Sequence, residues 1–430
     1  MAASGTIDQQ RAERMAGSAR LHAKARTIFP DGVTHDGRFM EPFPIYCTNA
    51  MGPRKWDVDG NEFVDYFGGH GALLLGHSHP AIVEALSEQS RRGTHLGACH
   101  ELEVQWGELI QQMVPSGRGG LVKLTSSGTE ATMMAMRLAR AFTGKDVICK
   151  AQGAFHGWHD YATMAMAPPY DEPISAGIPR GVRDSVVSVP AGDIEALRAM
   201  LDSRDDIAAV ILIADGAGTA YLQAARDLTA ARGVLLIFDE VVTGFRYAPG
   251  GAQEYYGVTP DLTTLAKILA GGLPGGAVVG RADVLELFLQ SDDDEWVRKH
   301  RVPHPGTYNG NPLSAAAGIA CLEIARDPAV QQKAIGTADQ LRAGFNEAFA
   351  RHDVDGKAGG VVSLVPVTFK NTKTPLKKLV YRFRAALQLG GVDPSGFNFI
   401  VSATHGQKEV DQTVAAFDRA LGMLKAEGAL

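Results

Sequence analysis

Two apolar runs constrain the fold more than any other feature of the chain. Residues 207–213 read Ile-Ala-Ala-Val-Ile-Leu-Ile and residues 234–238 read Val-Leu-Leu-Ile-Phe, with no polar side chain in either. A strand with one wet face alternates. A strand with none is covered on both faces, and that points to a mainly parallel sheet between helical layers. The neighbouring segments agree. Strands are expected at 121–125, 147–150 and 185–189, and helices at 130–142, 193–202 and 222–232. This alternation is the α/β pattern.

The flanks differ. A helix is expected over 8–28, and an antiparallel unit over 42–67 that turns at Asp57-Val-Asp-Gly60. Helices follow at 81–92, with Pro80 suited to the first turn, and at 101–113. Residues 291–306 read as a mobile loop, followed by a helix at 312–325. After that the pattern is α+β: helices at 328–351, 374–389 and 408–426, and strands near 361–369 and 398–402. The expected division is an N-terminal segment (1–70) of a small domain, a large domain (71–320) and a C-terminal part of the small domain (321–430).

The 430 residues carry 42 basic and 48 acidic side chains, net −6, which offers no electrostatic footprint for nucleic acid. The cysteines at 47, 99, 149 and 321 form no C-x-x-C pair. Neither a metal site nor a disulfide framework is expected. The first 25 residues lack the apolar core of a signal peptide, and no apolar run approaches a membrane span. A reducing, cytoplasmic setting is the simplest expectation.

Four stretches carry the chemistry. In Thr125-Ser-Ser-Gly-Thr-Glu-Ala131, hydroxyls and a glycine stand at a helix start, where free N–H groups and the positive dipole end suit a phosphate. Plain capping by Ser127 or Thr129, with Glu130 in the first turn, explains the same residues. Asp239 ends an apolar strand, where open α/β sheets place their ligand crevice. It suits a protonated ring nitrogen, a metal or a helix cap. Phe155, in Gly153-Ala-Phe-His-Gly157, can stack on a flat ligand or lie in the core. Lys267 closes an apolar-leaning run and precedes Ala270-Gly-Gly-Leu-Pro-Gly-Gly276. A lysine that can be desolvated beside a permissive backbone is a candidate for Schiff-base chemistry. A fifth piece, Pro305-Gly-Thr-Tyr-Asn-Gly-Asn-Pro312, offers the Thr307 hydroxyl.

In this order, and together with Trp56-Asp-Val-Asp-Gly60, Gly76-His-Ser-His-Pro80 and Asp239-Glu-Val-Val-Thr-Gly-Phe-Arg246, the motifs resemble class III (omega-type) aminotransferases. The nearest likeness is to the glutamate-1-semialdehyde aminomutase subgroup, over about residues 29–425. The resemblance implies pyridoxal 5'-phosphate as cofactor and fold type I, with a seven-stranded, mainly parallel sheet and a smaller α+β domain built from both termini. It implies that Lys267 is the Schiff-base lysine and proton shuttle, and that Asp239 pairs with the pyridinium nitrogen. Val241 and Phe155 would pack on the two ring faces. Ser127, Gly128 and Thr129 would hold the phosphate, and Thr307 would complete that site from the partner in a homodimer. His156 orients the site or is a satisfied core histidine. Arg38 matches the position of a substrate-carboxylate arginine, where a guanidinium fork suits the task.

Two departures stand out. Ala214-Asp-Gly-Ala-Gly-Thr219 lacks the glutamate that many members carry there, so Arg246 is expected to be paired differently or left free. Ala266 precedes the lysine where aminomutases have glycine. Both favour transfer between a small-molecule amine and a carbonyl acceptor by a ping-pong route. The rivals are an aminomutase that moves the group within one molecule, a fold type I decarboxylase or epimerase, and a non-catalytic binding protein.

Overall fold

The computed structural model describes residues 5–430. In chain order, the first strands are β1 (Cys47–Met51), β2 (Arg54–Asp57) and β3 (Glu62–Tyr66). Then come β4 (Leu121–Thr125), β5 (Val147–Ala151), β6 (Val186–Val189), β7 (Ile207–Leu212), β8 (Leu235–Asp239), β9 (Leu262–Ala266) and β10 (Gly276–Gly280). The last are β11 (Gly356–Ala358), β12 (Leu364–Phe369), β13 (Val392–Pro394) and β14 (Asn398–Ile400). The chain divides into two compact units: Ala81–Pro328, and the residues up to Pro80 together with Ala329–Leu430.

The unit Ala81–Pro328 is built on a seven-stranded sheet in the order β4-β10-β9-β8-β7-β5-β6. β6, β5, β7, β8 and β9 run parallel, and β10 lies antiparallel between β9 and β4. Every residue of β5, β7, β8, β9 and β10 is buried. The apolar face of helix Gly128–Thr143 covers one side, with Ala131, Met134, Ala135 and Leu138 packed among Ile148, Ile211, Ile237 and Val278. Each such large aliphatic chain contributes about 1.5–3 kcal/mol by leaving water. The consequence for function is positional. The carboxyl ends of β8 and β9 lie side by side, with Asp239 opposite Thr264.

The other unit holds the sheet β1-β2-β3-β13 and the sheet β11-β12-β14. Its core is aromatic, with Phe345 stacked on Phe417 at 4.1 Å and Phe349, Phe383 and Phe399 around them. One buried charge cluster pairs its members internally. Lys55 Nζ donates to Asp65 at 2.7 Å and to Asp393 at 2.6 Å, and Arg384 also reaches Asp393. Among the described residues no helix is long and apolar enough to cross a membrane.

The expected helix 8–28 is two helices, Ile7–Arg14 and Ala16–Ala25, broken at Met15 (φ −123°, ψ 40°). The break has a tertiary cause. The free amides of Gly17 and Ser18 donate to the Asp59 carboxylate at 2.6 and 3.0 Å, while the Met15 side chain packs with Phe43 and Phe63. The segment 291–306 is not all loop, because Asp293 caps a short helix, Asp294–Lys299. The strand expected from 361 begins at Leu364.

Candidate functional site

The site gathers at the carboxyl ends of β8 and β9. Asp239 is buried as the last residue of β8. Its Oδ2 accepts from His156 Nδ1 at 2.7 Å, and its Oδ1 accepts from Val241 N at 3.1 Å and Thr264 Oγ1 at 3.3 Å. His156 is itself buried, so the pair is shielded from water, and a charge-assisted bond in such surroundings is strong. Backbone, hydroxyl and imidazole donors thus fix the carboxylate from several sides.

Lys267 follows β9 directly, at φ +55°. A non-glycine residue held there costs of order 1–3 kcal/mol and persists only where the surroundings impose it. Burial disfavours the ammonium and pulls the Lys267 amine down to about 8. Asp239 acts in the opposite direction and Arg246 adds to the lowering. The outcome is a lysine that can give up its proton near neutral pH beside a fixed carboxylate, an arrangement typical of reactive lysines.

The third part is the start of helix Gly128–Thr143. Ser127 is its N-cap, its Oγ accepting from Glu130 N at 3.2 Å, while Glu130 Oε2 accepts from Ser126 N at 2.8 Å. The plain capping interpretation therefore holds for Ser127. It leaves the amides of Gly128 and Thr129, which have no intrahelical carbonyl to meet, at the positive end of a sixteen-residue helix. The place is tight. A Cβ on Gly128 would lie 2.9 Å from both Val241 methyls and 3.3 Å from the Ala266 Cβ. The turn after His156 also closes on the helix start, since a Cβ on Gly157 would lie 2.8 Å from Thr129 Oγ1. Gly128, Thr129, His156, Asp239, Val241 and the residue before Lys267 thus converge. A pyridine ring with a phosphate arm fits this set: N–H donors for the phosphate, a carboxylate for the ring nitrogen and an amine for the aldehyde.

Phe155 is 57% exposed. Thr307 is exposed in the turn before helix Pro312–Ala325. Arg246 is fully buried, which lowers its guanidinium to about 10. In the stretch that lacks the glutamate, Asp215 accepts the hydroxyl of the adjacent Tyr247. Arg38 belongs to the other unit, where it bonds Thr34 Oγ1 at 2.9 Å and lines a cavity of about 530 Å³.

Two contributors escaped the sequence reading. Thr264 faces Asp239 from the next strand, and Lys150 is buried in β5 with Nζ donating to Ala162 O at 2.9 Å and Met164 O at 2.7 Å. Its burial lowers it to about 8, against a counteracting pull from Asp239. A lysine inside an otherwise apolar strand was the available signal.

Residues 37–421 match the profile of the family described as Aminotransferase class-III. The chain is 39% identical over 422 residues, 93% of its length and 97% of the relative's, to a glutamate-1-semialdehyde 2,1-aminomutase of Methanosarcina acetivorans. It is 37% identical to the protein of that name from Archaeoglobus fulgidus, covering 94% of this chain and 99% of the relative. Among solved structures, an omega-transaminase from Sphaerobacter thermophilus superposes with a TM-score of 0.86 at 34% identity, covering 95% of this chain and 98% of that one. A transaminase with PLP bound gives 0.87 at 30% identity, covering 96% and 99%.

Proposed function

The chain belongs to the class III aminotransferases, pyridoxal-phosphate enzymes of fold type I, and we propose that it moves an amino group from one small molecule to the carbonyl carbon of another. The observation that carries this reading is the pairing of a strained, desolvated Lys267 with a buried Asp239 held by His156. When bound, pyridoxal phosphate supplies an electron-withdrawing ring that stabilises negative charge on the substrate carbon.

The protein's part is positioning and proton transfer. Lys267 would hold the cofactor through its amine. As a free amine it would be the general base that takes the proton from the substrate carbon and later returns it. Its amine at about 8 leaves a useful fraction uncharged near neutrality. Asp239 holds the proton on the ring nitrogen, and His156 and Thr264 keep its two oxygens in place. Gly128 and Thr129 would bind the phosphate through backbone amides, and Val241 and Phe155 would pack on the ring. Thr307 reaches the phosphate of the partner subunit in a homodimer. Arg246, whose charge is felt at Lys267, is the cation for a substrate carboxylate.

A second reading, migration of the amino group within one amino aldehyde, has a specific basis in the aminomutase names of the relatives at 39% and 37% identity. Ala214 and Ala266, at positions where the resemblance leads one to expect glutamate and glycine, favour the intermolecular reaction. The two are separated by comparing an amine donor that has no carbonyl group, supplied with pyruvate, with a 2-amino aldehyde supplied alone. Sustained turnover of the simple amine with pyruvate supports transfer. No turnover of that pair, with the 2-amino aldehyde converted to its amino ketone isomer as sole product, would replace the first reading by the second.

A further inference from the structure

The turn that carries Thr307 is held by two histidines that none of the roles above uses. Helix Glu101–Met113 is preceded by the segment 93–100, which lies along the turn 305–312 with a cavity of about 310 Å³ between them. His95 Nε2 lies 2.9 Å from the Thr307 carbonyl oxygen, and His100 Nε2 lies 2.8 Å from the Gly310 carbonyl oxygen. A carbonyl only accepts, so both ring nitrogens donate. For His100 the tautomer is fixed independently. Its Nδ1 accepts from Glu103 N at 3.2 Å as the helix cap, which places the ring proton on Nε2.

The rest of the contact is of the same kind. Asn311 Nδ2 donates to Thr94 O at 2.9 Å, while Asn311 Oδ1 caps helix Pro312–Ala325 through Leu313 N and Ser314 N. The His95 ring meets Tyr308 edge-on at 6.1 Å. Gly310 sits at φ +63°, and a Cβ there would lie 2.8 Å from Glu103 Oε2. The turn is therefore gripped at Thr307 and over the residues that follow it, by donors that set the orientation of its peptide groups.

We infer that His95 and His100 are positioning residues for the phosphate of the cofactor: by bonding the carbonyls of Thr307 and Gly310 they hold the turn in the conformation that presents the Thr307 hydroxyl. This rests on the reading that Thr307 meets the phosphate of the partner subunit. Both act through the turn's carbonyls.

The test compares affinities of the full-length apoprotein for pyridoxal 5'-phosphate and for pyridoxal, which lacks the phosphate. His95 is exposed, so His95→Leu removes the donor with little risk to folding. His100→Thr keeps a helix-capping oxygen and loses the reach to Gly310. One lost hydrogen bond of this kind is expected to weaken pyridoxal phosphate about 3- to 10-fold while pyridoxal changes less than about 2-fold. His95→Gln, which keeps a donor, is expected to recover part of the loss. In a Thr307→Ala background His95→Leu should add nothing further. If Thr307→Ala lowers the phosphate preference and the histidine variants do not, the positioning role is overturned while the reading of Thr307 stands. If Thr307→Ala leaves the preference unchanged, the reading of Thr307 fails and the inference falls with it. Equal loss of both ligands in the histidine variants would mark a merely structural contact and also overturn it.

Discussion

Substituting Gly128 by alanine probes the convergence of the site with a single carbon. The added Cβ would stand 2.9 Å from Val241 Cγ1 and Cγ2 and 3.3 Å from Ala266 Cβ. Carbon atoms rest at about 3.5–4.0 Å, so the overlap with each valine methyl is about 0.6 Å or more. Neither neighbour yields freely. The Val241 amide is bonded to Asp239 Oδ1, and Ala266 is the last residue of fully buried β9. Overpacking of this kind costs about 1–3 kcal/mol, against which alanine regains at most about 0.5–1 kcal/mol of helix preference. The net loss is about 0–2.5 kcal/mol, with a centre near about 1 kcal/mol, and it falls on the contact between the helix start, Val241 and the residue before Lys267. Denaturant unfolding of the apoprotein reads the stability change. Fluorescence titration with pyridoxal phosphate reads the site, where a loss of about tenfold corresponds to about 1.4 kcal/mol. Val241→Ala removes both clashing methyls, so the double variant should recover most of the loss, with a coupling of about 1 kcal/mol. Wild-type affinity in Gly128→Ala, or strictly additive effects of the two substitutions, would refute the convergence.

Other outcomes follow from the same geometry. Asp239→Asn removes a charge-assisted bond worth about 1.5–3 kcal/mol, so kcat/KM measured with a good amine donor should fall about 10- to 100-fold. The Lys267 amine stands at about 8 in the folded protein, below its ordinary 10.5. Between those values the unfolded chain binds a proton that the folded chain does not, so this group makes apoprotein stability rise with pH. The slope is about 1.4 kcal/mol per pH unit from this group. Lys150, also lowered to about 8, adds a similar slope, whereas burial of Cys149 and Cys321, which pushes their thiols up from 9, opposes it above about pH 9. Lys267→Met should therefore lower the slope seen in urea unfolding between about pH 8 and 9 by up to about 1.4 kcal/mol per pH unit. A panel of amine donors offered with pyruvate should show parallel-line, ping-pong kinetics.

What could be read from the chain and what could not divide along physical lines. β7 and β8 were plain because a strand buried on both faces favours an unbroken apolar run, and residues 207–212 and 235–238 supply one. Lys267 was found because it sits between an apolar-leaning run and a glycine-rich turn, a purely local signal. The strand β10 was missed because it begins within the same glycine-rich stretch, at Gly276. Its strand state comes from pairing with β4 and β9, not from local preference. The break at Met15 depends on Asp59, more than 40 residues away, so helical spacing ran straight through it. His156 was placed near the site, but its bond to Asp239 spans 83 residues of sequence and only the fold brings the two together. Lys150, Thr264, His95 and His100 act through contacts of the same long-range kind.

Borohydride reduction of the protein with pyridoxal phosphate, followed by peptide mapping, measures the central assignment most directly. The expected result is one reduced adduct, on Lys267, and none in Lys267→Ala. An adduct on Lys150 or on surface lysines, with Lys267 unlabelled, would contradict it.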